Sequence, residues 1–147
     1  MIRIEHSLEI SRPPEEVFAF LVDLDRLPDW QSSAIEAGSD GPLELGSLVH
    51  EKRRFLGREL TDELEVVAFD PPRRLTLRSQ GGPLKLTVDH ELESNGVGTR
   101  LTVVATGKPS GVMKFASPMI DRTAREEIRG DFARLKELLE TEDARPL

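Results

Sequence analysis

The chain has 147 residues, a formal net charge of −7 and no cysteine. This length suits one domain with a sizeable core. The acidic charge argues against nucleic acid as a partner, because phosphate binding requires a basic surface, and the lack of cysteine excludes disulfides, thiol catalysis and Cys-ligated metal.

The N-terminal segment alternates apolar and polar residues, which predicts a β-strand. Ile2, Ile4, His6, Leu8 and Ile10 fall on one face of that strand. The alternation is unlike a signal peptide, and no other segment approaches the roughly 20 apolar residues that a membrane span needs. We therefore expect a soluble, cytoplasmic protein with no membrane span.

Two short helices and a series of strands follow. Pro13 and Pro14 end the first strand and open a helix, and Asp23 to Trp30 predicts a second short helix broken at Pro28. Turn signals then recur at regular spacing as far as Thr106, which predicts an antiparallel meander. The predicted strands are 33–38, 47–55, 59–69, 73–80, 83–93 and 98–106.

The chain closes with a long predicted helix from Ser117 to Glu140, with Ser117 as the N-cap and Pro118 in the first position. Its apolar residues recur at helical spacing and must face an apolar surface: Ile120, Ala124, Ile128, Phe132, Leu135, Leu138 and Leu139. Gly130 interrupts this helix, and close approach of another backbone would explain it. The chain is predicted to be a single domain over 1–147, with a frayed tail at about 142–147.

These elements predict the fold class. A twisted antiparallel sheet with one apolar face must cover that face, and the last helix has the long apolar stripe that such a cover needs. We therefore predict an α+β helix-grip fold: an antiparallel sheet of about seven strands wrapped around the C-terminal helix, with two short helices after the first strand.

Hairpin geometry assigns side chains to the two faces of the sheet, because a slip of one residue inverts every side chain. Turns at 56–57, 71–72, 81–82 and 96–97 predict these cross-strand pairs: Val49–Leu64, Glu51–Asp62, Arg53–Leu60, Val66–Leu77, Ala68–Leu75, Leu77–Leu86, Leu75–Val88, His90–Val103 and Leu92–Leu101. His6 and His90 then lie on the concave face and His50 on the outer face beside Glu63. Such separation argues against a three-histidine metal site, and no cofactor motif is recognisable.

Four segments together resemble a known family: LEISRPPEEVF at 8–18 followed by Asp23 and Trp30, EVVAFDPPRRL at 65–75, GTRL at 98–101 and LKELLE at 135–140. Their order and spacing are similar to those of polyketide cyclase/dehydrase-like proteins. These belong to the START-like (SRPBCC) superfamily, with lipid-transfer domains and the birch pollen allergen fold. The resemblance implies a cavity between sheet and helix. It implies no catalytic constellation, because the family includes enzymes, carriers and hormone receptors.

The candidate cavity residues are His6, Trp30, Glu51, Arg53, Asp62, Leu77, His90, Phe115, Met119 and Thr123. Each of the two histidines interrupts an apolar face. Such a histidine is either a core residue bonded to a backbone carbonyl or a ligand-facing donor or acid/base group.

The other candidates have two interpretations as well. Glu51, Arg53 and Asp62 form either a solvated ion network at the cavity rim or carboxyls whose mutual repulsion separates their pKa values. Trp30 serves either core packing or ligand contact. The residues that precede or begin the last helix, Phe115, Met119 and Thr123, are either an adaptable cavity lining or ordinary core.

Three functions remain open. The first is a carrier that binds a small, largely apolar molecule such as a lipid, a polyketide or a similar metabolite, since an apolar lining with few polar groups suits such a site. The second is a cyclase or dehydratase that uses acid/base chemistry in the same cavity. The third is a protein-interaction domain whose cavity is vestigial. The ligand and the oligomeric state do not follow from the sequence.

Overall fold

The computed structural model describes residues 1–55, 57–81, 84–109, 115 and 117–141. Its elements in chain order are β1 (Ile2–Ile10), α1 (Pro14–Leu21), a 3-10 turn (Leu24–Arg26), α2 (Leu27–Trp30), β2 (Ala34–Ser39), β3 (Leu48–Phe55), β4 (Arg58–Asp70), β5 (Arg74–Ser79), β6 (Leu84–Ser94), β7 (Thr99–Pro109) and α3 (Ser117–Thr141). Each strand and helix expected from the sequence is present, but the second short helix is divided before Leu27 and not at Pro28, which lies in the first turn of α2. The tail predicted at 142–147 lies outside the described residues.

Within the described residues, the strands form a single seven-stranded antiparallel sheet in the order β1-β7-β6-β5-β4-β3-β2. The first two strands therefore lie at opposite edges, and α1 and α2 connect them. The later strands return as a meander, until β7 pairs with β1 from Ile2↔Gly107 to Ile10↔Thr99. The predicted helix-grip architecture is confirmed.

Two of the hairpins have the predicted register. The pairs on β3 and β4 and on β6 and β7 that the sequence specified are all observed: Val49↔Leu64, Glu51↔Asp62, Arg53↔Leu60, His90↔Val103 and Leu92↔Leu101. Because side chains alternate between the faces, this register places Glu51, Arg53 and Asp62 on the concave face. It turns His50 outward, where its Nδ1 lies 3.2 Å from Glu63 Oε2.

The β4–β5 hairpin differs from the prediction in one pair. Val66 lies opposite Leu77 as expected, but the register shifts between Val66 and Ala68, so Leu75 pairs with Phe69 and not with Ala68. An irregularity of this kind places an extra residue in one strand and changes which side chains face inward. Phe69 accordingly packs on the core, with its ring centroid 5.6 Å from that of Phe18 in an edge-to-face arrangement.

The β5–β6 pairing was predicted two residues out of place. Leu77 pairs with Val88 and Leu75 with His90, whereas the sequence suggested Leu86 and Val88. Strand β5 ends at Ser79 and β6 begins at Leu84, and the turn predicted at Gly81-Gly82 lies partly outside the described residues. A shift of two residues keeps each side chain on the same face of the sheet, which is why His90 still points inward.

The apolar stripe of α3 packs on the concave face, as predicted. Ile120, Phe132, Leu135 and Leu139 are buried, and Ala124, Ile128 and Leu138 are partly buried against the same clusters. Arg12 fixes the end of the helix, because its guanidinium donates to the carbonyl oxygens of Leu139 and Glu140 at 3.0 and 3.2 Å.

Gly130 lies on the exposed face of α3, and a Cβ there would meet nothing within 4 Å. The expected close approach of another backbone is therefore wrong. No helix in the described part of the chain is long and apolar enough to cross a membrane.

Candidate functional site

Helix α3 does not fill the concave face of the sheet. A cavity of about 260 Å³ remains, lined by residues of α1, α2, α3 and strands β1 and β3 to β7. A cavity of about 150 Å³ is large enough to hold benzene, whereas drug-sized ligands occupy pockets of roughly 300–1,000 Å³. The cavity therefore has room for a compound of one or two rings.

One side of the cavity is apolar. We define the apolar wall as the eight residues from β1, β6, β7 and α3 that form one packed cluster and line the cavity: Ile2, Ile4, Leu86, Val88, Ala105, Ile120, Ala124 and Ile128. They lie together because β7 pairs with both β1 and β6, and the inward positions of all three strands meet the N-terminal half of α3. This wall offers dispersion contacts and no side-chain hydrogen bond.

The other side is polar. We define the polar wall as seven cavity residues from β3, β4, α3 and the segment after α2: Gln31, Ser33, Glu51, Arg53, Asp62, Glu127 and Asp131. Register explains part of it, since Glu51 lies opposite Asp62 and Arg53 is two residues further along the same face. Glu127 and Asp131 reach it from α3, where their spacing of four residues places them on one helix face.

Arg53 is the centre of this wall. Its Nε and Nη2 donate to Glu51 Oε1 at 3.0 and 2.7 Å, Nη2 also donates to Gln31 Oε1 at 2.8 Å, and Nη1 donates to Ser33 Oγ at 2.7 Å. Glu51 is only 9% exposed. Arg53 and Glu51 thus form an ion pair in the cavity wall with Glu51 buried, whereas Asp62, the third member of the expected network, makes no ion pair with Arg53 within the described residues.

Three carboxyls of the polar wall resist ionisation. Burial raises the pKa of Asp62, and the charge of Glu51 adds to that rise, while a hydrogen bond from the Glu63 backbone N–H and the Arg53 charge oppose it. Burial and the Asp131 carboxylate raise the pKa of Glu127. Burial also raises the pKa of Asp131, although the Ser32 backbone N–H donates to its Oδ1 at 3.0 Å. These groups hold protons at a higher pH than ordinary carboxylates do.

His90 lines the cavity between the two walls. It is 5% exposed, and its Nδ1 lies 3.0 Å from the Leu75 carbonyl oxygen. Burial lowers its pKa, so the ring is neutral at pH 7. Since a carbonyl oxygen only accepts, Nδ1 carries the proton and Nε2 is left as an acceptor. Nε2 makes no hydrogen bond within the described residues.

Trp30 and Leu77 also line the cavity. Trp30 is 1% exposed, and its ring centroid is 5.0 Å from that of Phe132, whose centroid is 6.0 Å from the His90 ring. Its indole Nε1 is fully enclosed and has no hydrogen-bond acceptor among the described residues. Six of the sequence candidates are thus brought together around one cavity: Trp30, Glu51, Arg53, Asp62, Leu77 and His90.

The other four candidates are not among the residues that line the cavity. Phe115 and Met119 are 89% and 57% exposed, because Met119 is one position away from the buried stripe that begins at Ile120 and Phe115 precedes α3. Thr123 and His6 are partly buried. His6 lies on the inward face of β1 near α3, where burial and the charge of Arg129 lower its pKa.

Sequence reasoning missed four members of the polar wall: Gln31, Ser33, Glu127 and Asp131. A signal for the two carboxyls was present. Glu127 is three residues after Ala124 and Asp131 is three residues after Ile128, so both lie within the apolar stripe of α3. Gln31 and Ser33 follow a short helix with no periodic pattern, and no sequence signal marked them.

The arrangement suits an organic ligand held by apolar contact and a few hydrogen bonds. Among the residues that the structure describes, no group of three or more His, Asp or Glu could hold a metal ion. Carboxyls with raised pKa values and a neutral imidazole in one cavity are also groups that can donate and accept protons.

The sheet, the long helix and the cavity between them define a helix-grip domain with an internal pocket. The chain belongs to the family described as polyketide cyclase / dehydrase and lipid transport, whose model matches residues 1–140. No curated protein matches the chain in sequence.

Solved structures share the fold at low sequence identity. A START superfamily protein from Mycobacterium smegmatis is 15% identical, with a TM-score of 0.80 over 95% of this chain and 97% of that one. Protein NE0264 from Nitrosomonas europaea is 20% identical, with a TM-score of 0.78 over 97% of each chain. The di-domain ARO/CYC BexL, from the BE-7585A biosynthetic pathway, is 15% identical, with a TM-score of 0.78 over 98% of this chain and 48% of that one.

Proposed function

We propose that the protein binds a small, largely apolar molecule, such as a lipid, a polyketide or a similar metabolite, inside the cavity. The observation that carries this proposal is the pairing of an unfilled apolar cavity with buried charged groups in one wall. Filling the cavity with side chains would stabilise the fold, and replacing a buried ion pair by apolar residues is often neutral or stabilising. A domain optimised only for stability would have neither feature, whereas a ligand site needs both.

The family description and the similar solved structures also support ligand binding. The family description includes lipid transport, and the similar structures include a START superfamily protein and an ARO/CYC protein. At about 260 Å³ the cavity is large enough for a small organic molecule, which favours ligand binding over a purely protein-interaction role.

An acid/base enzyme is the second candidate. It is favoured by one specific observation: Asp62 and Glu127, whose pKa values are raised by burial, share the cavity with the neutral imidazole of His90. A carboxyl with a raised pKa can take up and return a proton, and the free imidazole Nε2 can accept one, which is what a cyclisation or a dehydration requires. Catalysis would need the ligand to be bound first, so ligand binding is the step to test.

The test uses Trp30 as a reporter, because it is the one tryptophan of a chain that has no tyrosine, and it lines the cavity. The neutral dye prodan accepts energy from tryptophan and brightens in apolar surroundings. We expect saturable energy transfer at about one dye per chain, and displacement of the dye by hydrophobic small molecules.

A matched pair of variants locates the dye. Ala124→Phe adds a ring to the cavity wall and should abolish transfer, whereas Ala133→Phe adds the same ring to the exposed face of the same helix and should leave it unchanged. Ala105→Leu fills the cavity from β7 if Ala124→Phe does not fold. Absence of saturable binding to the folded protein would refute the proposed function.

A further inference from the structure

The charged side chains that line the cavity differ in how much hydrogen-bonding capacity they leave free. Arg53 is the only Lys or Arg among the described residues that line it. Four of the five N–H groups of its guanidinium already donate, two to Glu51 and one each to Gln31 and Ser33. The cation therefore has little left to offer an anionic ligand.

The enclosed indole N–H of Trp30 does not change this count. Its Nε1 has almost no accessible surface, so a ligand acceptor cannot reach it from the cavity as the chain is packed. The other free donors of the cavity are neutral, namely the Gln31 amide and the Ser33 and Thr61 hydroxyls, and no free cationic side chain accompanies them within the described residues.

Acceptors remain free as well, and most of them belong to carboxyl groups. Within the described residues, Glu127 makes no hydrogen bond through either oxygen, Asp62 uses only Oδ1, and Glu51 uses only Oε1. His90 is a fourth residue with a free acceptor, its imidazole Nε2, and it is only 5% exposed. Each of these four residues lines the same cavity.

The charged groups of the polar wall also favour a cationic ligand over an anionic one. The polar wall places four carboxyl groups, those of Glu51, Asp62, Glu127 and Asp131, around one guanidinium. Arg53 is close enough to affect the ionisation of Asp62, Glu127 and Asp131. An anionic ligand in this wall would meet several negative charges and no free cation. Such contact between like charges strongly disfavours binding. A positive charge would be attracted by the same groups.

We propose that the cavity selects ligands with a small apolar body and a hydrogen-bond-donating end, an amine ahead of an alcohol, and that it rejects carboxylates. This inference rests on the proposed ligand-binding function and specifies its chemistry. The apolar body lies against the apolar wall, and the donor group lies among the free acceptors of the polar wall. Fatty acids and other acids with the same body are then poor ligands.

The experiment compares three probes that share a naphthalene body and differ in one group: 2-naphthylmethylamine, 2-naphthalenemethanol and 2-naphthoate. Affinities are measured by isothermal titration calorimetry at pH 7 on the full chain. We expect the amine to bind at least about tenfold more tightly than the carboxylate, with the alcohol between them. Equal affinities for the three probes, or tighter binding of the carboxylate, would overturn the inference while leaving the binding function intact. If none of the probes binds the folded protein, the proposed function fails as well.

Two variants locate the preference. Glu127→Gln removes one negative charge of the polar wall and should lower the amine-to-carboxylate affinity ratio several-fold, and Asp62→Asn should do the same from β4. The matched control is Glu126→Gln, which removes the same charge from an exposed position one residue away that does not line the cavity. Melting curves verify that each variant is folded. A ratio that both cavity variants leave unchanged, or that Glu126→Gln lowers equally, would overturn the assignment to the polar wall.

Discussion

The two walls of the cavity come from opposite halves of the concave face of one sheet and from neighbouring positions of one helix, yet they have different energetics. The apolar wall uses β1, β6, β7 and the start of α3, and it is a hydrophobic cluster with Ile2, Ile4, Ala105 and Ile120 buried. The polar wall uses β3, β4, the segment after α2 and two residues of α3, and it buries Glu51 and Asp131. Burial of an apolar side chain stabilises the fold, whereas burial of a charge costs free energy unless it is compensated. The apolar wall therefore maintains the fold, and the polar wall is suited to recognition.

The largest stability effect is expected in the apolar wall. Ile120 is 1% exposed, and truncating a buried isoleucine removes apolar contacts and leaves a void, so Ile120→Ala should lower the free energy of unfolding by about 3 kcal/mol. The neighbouring Met119→Ala, at an exposed position, should change it by no more than about 0.5 kcal/mol. Urea unfolding of both variants measures the difference. Similar costs for the two would contradict the assignment of the apolar wall.

Removal of the central cation of the polar wall should have the next largest effect. Arg53→Met leaves the buried Glu51 without its partner, and breaking a buried pair costs roughly 3–5 kcal/mol. Because the Arg53 side chain is 24% exposed, we expect a smaller loss, of about 2 kcal/mol at pH 7.

The control for this variant is Arg54→Met. Arg54 is on the same strand, its side chain is 65% exposed, and its Nη2 lies 3.7 Å from Glu59. It should cost less than about 0.5 kcal/mol. The loss in Arg53→Met should shrink at low pH, where the carboxyls are protonated, and a loss independent of pH would mean that Arg53 acts by packing and not by charge.

The two inward-facing histidines should respond differently to phenylalanine. His90→Phe leaves the Leu75 carbonyl without its 3.0 Å hydrogen bond, which costs about 1–2 kcal/mol, and it removes a free acceptor, so amine affinity should fall. His6 does not line the cavity, so His6→Phe should leave affinity unchanged. Melting temperatures and calorimetric affinities of both variants test this. If His6→Phe weakened binding and His90→Phe did not, His6 and not His90 would be the histidine that contacts the ligand.

The smallest effect is a dependence of stability on pH. Burial raises the pKa of Asp62, Glu127 and Asp131 in the folded state, so each binds its proton more tightly when folded. Their contribution to stability is fully present below the unfolded-state pKa, about 4, and is lost as pH rises through the folded-state pKa. His90 has the opposite sign: burial lowers its pKa, so stability is lost as pH falls below about 6.5.

The variant Glu127→Gln tests how much one of these carboxyls contributes to the pH dependence of stability. A neutral amide has no charge to bury, so the variant should melt about 1–3 °C higher than the wild type at pH 7.5 and show little difference at pH 4. The comparison at each pH cancels the contribution of His90. A lower melting temperature at pH 7.5 would show that the ionised carboxylate stabilises the fold.

The sequence was sufficient for the fold because its signals are local. Alternation along β1 and the stripe of α3 each specify a buried face without reference to distant residues. The turn at 56–57 was sufficient to set the β3–β4 register, and with it the positions of Glu51, Arg53 and Asp62. The β5–β6 register was missed by two residues, because two adjacent glycines do not determine the length of a connection.

The site was less predictable because it depends on how α3 is rotated against the sheet. That rotation leaves Met119 exposed and brings Glu127 and Asp131 into the cavity wall. Charged residues on a helix are usually solvated, and here helical spacing was a better guide than charge. Neither a cavity nor its free acceptors can be read from periodicity, since both arise where side chains from several strands fail to meet.

The most direct test of the two-wall account is a crystal structure of the protein with 2-naphthylmethylamine. We expect the naphthalene rings against Ala105 and Ile120 of the apolar wall, and the amine nitrogen within hydrogen-bond distance of a carboxylate oxygen of Glu127 or Asp62. A probe bound on the surface, or one that fills the cavity with its amine directed at Ile2 and Ile4, would contradict the account.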